Sequence, residues 1–193
     1  LQSAAHLSLE TGFTFQNAAT SVLSANGNSN QSVCFKTTVP KDFTVVNTGT
    51  APSNIVTLDC SSTVTGNVTV TSGVLRISSG YNLTVLGNLT VATGATLDIE
   101  PNATLTLANG SVVTVNAGGT LEMVGTSNSN AMMTSNSTAN AYTVVVNGTI
   151  KAQYYSFSRL GANGVTINSG ATINATNFMQ NGSFGYPVAN NTN

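Results

Sequence analysis

Charge is what this chain has least of. Its 193 residues include five Lys and Arg, six Asp and Glu and one His, so 6% are charged and the formal net charge is −1. Ordinary globular proteins carry about a quarter. So neutral a balance excludes a basic footprint for nucleic acid and a polybasic patch for a membrane surface. It also removes most repulsion between copies, which favours association. Asn, Ser, Thr and Gly must supply the polar surface. No apolar run approaches the roughly 18–20 residues of a membrane-spanning helix. Regular helical periodicity is missing too, which argues against an α-helical core.

Catalytic chemistry is equally sparse. A lyase or glycosidase needs paired carboxylates, or a metal with a basic partner. The acids are Glu10, Asp42, Asp59, Asp98, Glu100 and Glu122, and only Arg76 and Arg159 offer guanidinium groups. His6, the sole histidine, lies near the start of the sequence and reads as a surface residue. No nucleophile motif, phosphate loop or metal-spaced Cys/His cluster occurs. The expectation is therefore a non-enzyme without a cofactor. Asp98 and Glu122 occupy matching repeat positions and could together bind Ca²⁺, but two carboxylates on a solvated face are the commoner meaning of that pattern.

Cysteine is limited to Cys34 and Cys60. A disulfide between them fits an oxidising compartment and would add about 3–4 kcal/mol through loop closure. Two separate buried thiols are the alternative. Leu1-Gln2-Ser3-Ala4-Ala5 resembles a mature end left by leader cleavage, though a trimmed chain would look the same. Together these features suggest a secreted, extracellular or cell-surface protein.

What is present is a repeat. Residues 64–124 contain apolar–polar–apolar triplets, most of them eight residues apart: Val68-Thr69-Val70, Leu75-Arg76-Ile77, Leu83-Thr84-Val85, Leu89-Thr90-Val91, Leu97-Asp98-Ile99, Leu105-Thr106-Leu107, Val113-Thr114-Val115 and Leu121-Glu122-Met123. Turn residues such as Gly80, Gly94 and Asn109-Gly110 separate them. Alternation puts the apolar pair of each triplet on one face. One triplet cannot bury that pair alone, whereas stacked coils can. Three steps make a coil of about 22–24 residues. Longer matches support that register: Gly66–Val70 returns as Gly87–Val91, and Leu89–Ile99 returns as Val113–Met123. An antiparallel meander or barrel is weaker, because two-residue Asn-Gly hairpin links are scarce.

Val146-Asn147-Gly148-Thr149-Ile150-Lys151-Ala152 and Asn168-Ser169-Gly170-Ala171-Thr172-Ile173-Asn174-Ala175 resemble the N-x-G-x-I-x-A repeats of right-handed β-helices of the filamentous-haemagglutinin and autotransporter-passenger type. The resemblance covers roughly residues 61–178. It implies an architecture shared by adhesins, secreted rods and enzymes, and it carries no catalytic residue onto this chain.

The expected fold class is all-β, a parallel β-helix (β-solenoid) with an N-terminal β cap module. Residues 1–60 form that cap, 61–180 the solenoid with a protruding loop at 125–141, and 181–193 a C-terminal tail. A short helix over 17–24 is allowed within the cap. Leu7, Leu9, Phe13 and Phe15 alternate outside the repeat register. They form either a first strand packed on the chain's own domain or a strand donated to a neighbour.

Eleven Asn-x-Ser/Thr sequons occur, at Asn30, Asn67, Asn82, Asn88, Asn102, Asn109, Asn136, Asn147, Asn174, Asn181 and Asn190. Roughly six or seven would arise by chance. In Asn67-Val68-Thr69, Asn82-Leu83-Thr84 and Asn88-Leu89-Thr90 the middle residue points inward, which sends Asn and Thr outward as N-linked glycosylation requires. The same residues also suit solenoid turns without any glycan.

Stacked coils leave unpaired backbone at both ends. A short, uncharged column therefore suggests a structural subunit of an extracellular filament, pilus-like fibre or surface layer that pairs with copies of itself. The alternative is a monomeric adhesin or module that binds glycans or a host surface. An ice-binding face of outward Thr69, Thr84, Thr90, Thr106 and Thr114 is a third reading, weakened by Arg76, Asp98 and Glu122 in the same triplet position.

Overall fold

The computed structural model describes residues 6–9, 20–35, 41–136 and 141–185. In chain order the first strands are β1 (His6–Leu9), β2 (Val22–Gly27), β3 (Gln31–Phe35), β4 (Asp42–Asn47), β5 (Ile55–Leu58) and β6 (Ser62–Val64). Next come β7 (Val68–Ser72), β8 (Val74–Ile77), β9 (Asn82–Val85), β10 (Leu89–Val91), β11 (Thr96–Ile99), β12 (Thr104–Leu107), β13 (Val112–Val115) and β14 (Thr120–Val124). The last are β15 (Ala131–Ser135), β16 (Tyr142–Val146), β17 (Thr149–Gln153), β18 (Tyr155–Phe157), β19 (Leu160–Ile167), β20 (Thr172–Gln180) and β21 (Ser183–Phe184). No helix occurs among the described residues.

These strands build three sheets around one column. Sheet A has eight strands (β1-β3-β5-β8-β11-β14-β17-β20), sheet B seven (β2-β4-β7-β10-β13-β16-β19) and sheet C six (β6-β9-β12-β15-β18-β21). From β6 onward each turn visits C, then B, then A. Every ladder pair between these strands is parallel. The chain is a parallel β-solenoid.

Because turns stack in register, each inward position becomes a row. Val56, Leu75, Leu97, Leu121 and Ile150 form one on sheet A, and Leu58, Ile77, Ile99, Met123 and Ala152 a second. Phe43, Val68, Leu89, Val113 and Val144 form a third on sheet B. All of these residues are fully buried in one continuous core. The register matches the repeat: Val68 pairs with Leu89, and Leu97 with Leu121.

Residues 22–58, assigned on sequence to a cap, supply β2 through β5, which are hydrogen-bonded into sheets A and B. The helix expected over 17–24 is not formed where the chain is described. Val22–Ser24 instead begins β2, which pairs with β4 along its whole length. Ladder bonds and the seating of Ala25 beside Val45 outweigh the weak helix propensity of a Ser- and Asn-rich stretch. The protruding loop expected at 125–141 is also corrected. Ala131–Ser135 is a strand of sheet C, with Ala131 and Met133 fully buried. What projects is shorter, a turn closed by the Thr126–Ser129 bridge. Residues 137–140 lie outside the described residues.

Candidate functional site

The expected pairing of Cys34 with Cys60 is present, joining β3 to the link before β6. Asp59 lies beside them, and its carboxylate and the two sulfurs lie within 4.8 Å of one another. With the sulfurs bonded to each other, the cluster offers no thiolate to a metal.

Five of the charged residues gather on the outer face of sheet A. Thr57, Arg76, Asp98, Glu122 and Lys151 form one register row. Arg76 Nε donates to Asp98 Oδ2 at 2.8 Å and lies 3.3 Å from Glu100 Oε1. Lys151 Nζ donates to Glu122 Oε2 at 3.0 Å. Asp98 and Glu122 thus stack as the repeat indicated, each paired with a cation. Burial holds Asp98 above the ordinary carboxylate range, with the Arg76 hydrogen bond pulling the other way. The triplet alignment already contained this row, because Arg76, Asp98, Glu122 and Lys151 are all middle residues.

The other two faces carry hydroxyl rows. Ser24, Thr44, Thr69, Thr90, Thr114, Val145 and Thr166 run along sheet B. Thr63, Thr84, Thr106 and Thr134 run along sheet C. The five threonines weighed for ice binding are thus split between two faces, and Arg76, Asp98 and Glu122 interrupt neither. Several of these hydroxyls are engaged locally: Thr106 Oγ1 donates to Asn82 Oδ1, and Ser158 Oγ to Thr134 Oγ1.

Most of the described sequon asparagines lie at turns, whereas Asn82 and Asn174 fall within β9 and β20. Asn30, Asn67, Asn88, Asn102, Asn109, Asn136 and Asn181 are exposed, Asn82, Asn147 and Asn174 are half-buried, and Asn190 lies outside the described residues. Several brace the next turn. Asn67 Oδ1 accepts from Asn88 N, and Asn88 Oδ1 from Val112 N, each at 2.9 Å.

Among the assembly candidates, Leu7 pairs in register with Val33 and Leu9 with Phe35, so His6–Leu9 is the first strand of this chain's own sheet A. Phe13 and Phe15 lie outside the described residues. The surface that sequence reasoning missed is on the last described turn. Among the described residues, core rows finish in Ile173 above Ile150, Phe178 above Ala152, Phe184 above Phe157, Val165 above Val144 and Ile167 above Val146. The lower member of each pair is fully buried. Ile173, Phe178 and Phe184 are 45%, 55% and 48% exposed, and Val165 and Ile167 are partly buried. Phe184 also stacks on Phe157 at 5.4 Å. The available signal was that each continues an inward row, yet in sequence they look like any other core residue.

No helix among the described residues is long and apolar enough to cross a membrane. No family model, curated protein or solved structure matches the chain.

Proposed function

We propose that this chain is a structural subunit of an extracellular filament, pilus-like fibre or surface layer, self-assembling by strand pairing at the ends of its column. The observation that carries this reading is the last described turn, where five inward rows reach apolar side chains and Ile173, Phe178 and Phe184 are left exposed. Covering the exposed halves of Ile173, Phe178 and Phe184 is worth about 1 kcal/mol each. Strand edges at the same end offer backbone groups to a partner. A near-neutral surface adds little repulsion. The Cys34–Cys60 bond is compatible with an extracellular setting.

Sedimentation velocity across a concentration series, with negative-stain microscopy, tests this. Growth into fibres or sheets is expected, abolished by Ile173→Lys with Phe178→Lys. A monomer at every concentration, with no fibres, would overturn the proposal.

The second reading, a monomeric adhesin or glycan-binding module, draws on the hydroxyl rows of sheets B and C, which suit hydrogen bonding to sugars. Glycan-array binding by a monodisperse monomer would favour it. The exposed corner asparagines are the ones we assign to N-linked glycans, which intact-mass analysis before and after amidase treatment would reveal.

A further inference from the structure

We infer that Cys34, Asp59 and Cys60 form a redox-gated metal site, closed in the disulfide form and able to take a thiophilic divalent cation such as Zn²⁺ once the Cys34–Cys60 bond is reduced. This stands independently of the assembly reading. The two sulfurs and a carboxylate oxygen of Asp59 lie within 4.8 Å of one another. Two thiolates and a carboxylate are a donor set that suits Zn²⁺, with water filling the fourth tetrahedral position. Ca²⁺ and Mg²⁺ prefer oxygen donors alone, so the same set disfavours them.

The spacing of the three donors does not depend on the bond between the sulfurs. β3 and β5 pair in parallel register through Val33 and Leu58. Cys34 and Asp59 are the next residues along, and Asp59 N donates to Val33 O at 3.2 Å. Ser62 ties in the third donor. Its Oγ accepts from Phe35 N at 3.0 Å and donates to Cys60 O at 3.3 Å. These hydrogen bonds hold all three positions when the sulfurs part. The Cα atoms of Cys34 and Cys60 are 5.2 Å apart. Two Zn–S bonds of about 2.3 Å at the tetrahedral angle require the sulfurs to be only about 3.8 Å apart, so side-chain rotation suffices. Cys34 is buried, whereas Asp59 and Cys60 are half-buried. Partial burial strengthens the attraction between a cation and three anionic donors.

Opening the site takes two electrons. A dithiol reductant attacks one sulfur, resolves the mixed disulfide and ends as its own disulfide, leaving Cys34 and Cys60 as thiols. Zn²⁺ then binds both sulfurs as thiolates, and their two protons pass to solvent.

The whole chain, oxidised or reduced with a water-soluble phosphine, tests this. The phosphine supplies the two electrons, takes an oxygen from water to become its oxide, and offers the metal no competing thiol. After exposure to Zn²⁺ and desalting, elemental analysis should find one Zn²⁺ per reduced chain and none on the oxidised protein. Zn²⁺ should raise the Tm of the reduced protein alone, because a ligand of the folded state adds stability. Co²⁺ in its place should give thiolate-to-cobalt absorption with the visible bands of a tetrahedral site. Cys34→Ser and Cys60→Ser should each lose that spectrum, and Asp59→Asn should weaken Zn²⁺ by roughly tenfold or more. A reduced protein that keeps its β-sheet circular dichroism yet holds no Zn²⁺ would overturn the inference. Loss of that β-sheet signal on reduction would do the same, since the ladder would then not hold the donors. Zn²⁺ bound equally by Asp59→Asn, or by the oxidised form, would remove the three-donor assignment or the gate.

Discussion

A phenol hydroxyl sealed inside an apolar column has nowhere to turn. Tyr142 is fully buried, and its Oη has no hydrogen-bond partner among the described residues. Burial pushes its ionisation well above the ordinary tyrosine range. An unsatisfied buried donor costs about 1–3 kcal/mol. Tyr142→Phe keeps the ring and removes the cost, so it should stabilise the protein by about 1 kcal/mol. Urea unfolding would measure this, and a loss of stability would show that the hydroxyl has a partner. Asp98 gives a second prediction at this scale. Its folded pKa lies above its unfolded value because burial outweighs the Arg76 bond. Its ionisation therefore costs stability above the folded pKa, and that cost disappears as pH falls through the folded value toward the ordinary carboxylate value. Relative to Asp98→Asn, the unmodified protein should gain Tm across that acidic window. Paired melting curves would reveal the difference, and a relative loss on acidification would contradict it.

Turns of the column approach so closely that some corners have no room for a side chain. A Cβ added at Gly148 would collide with the carbonyl oxygens of Gly119 and Asn116 on the preceding turn. Gly170, by contrast, has open space around its would-be Cβ but a φ of +88°. Gly148→Ala should cost about 3 kcal/mol through overpacking, and Gly170→Ala about 1 kcal/mol through backbone strain alone. Thermal melts of the two would rank them, and a milder effect at 148 would refute the close-packed corner. The same scale explains which strands were legible. β7 through β14 could be read because each apolar pair faces a core of its own kind at a constant interval. The start of β3, at Gln31, and the whole of β15 were obscured by polar inward positions. Gln31 and Ser135 are buried, and Asn47 donates to Ser29 O at 2.7 Å and to Gln31 Oε1. Spacing added a further disguise, since Leu105 pairs with Met133 across the Thr126–Ser129 turn, a longer step than Leu83 to Leu105. The charged row was present in the triplets, but the exposure of Ile173, Phe178 and Phe184 was not, because local alternation marks them as inward like any core residue.

For the whole molecule, the direction of the strands sets what an assembly must look like. Strands lie across the column, and adjacent ones are about 4.8 Å apart along it. Joining ends in the same direction continues that spacing through every junction. Aligned fibres should therefore give a meridional reflection near ~4.8 Å. Among the described residues sheet A has eight strands and sheet B seven, so the axial subunit repeat should be about 34–38 Å if the strands simply continue at that spacing. Lateral packing of the hydroxyl faces predicts something else, namely sheets or bundles in which the ends remain open and Phe178→Lys has little effect. Cryo-electron microscopy of fibres, with the repeat read from the layer lines, separates the two. A repeat of about 34–38 Å that disappears with Phe178→Lys supports end-to-end growth, because that geometry covers Ile173, Phe178 and Phe184. Fibres with strands running along their axis would contradict it, since end-to-end stacking of this column leaves the strands across the axis.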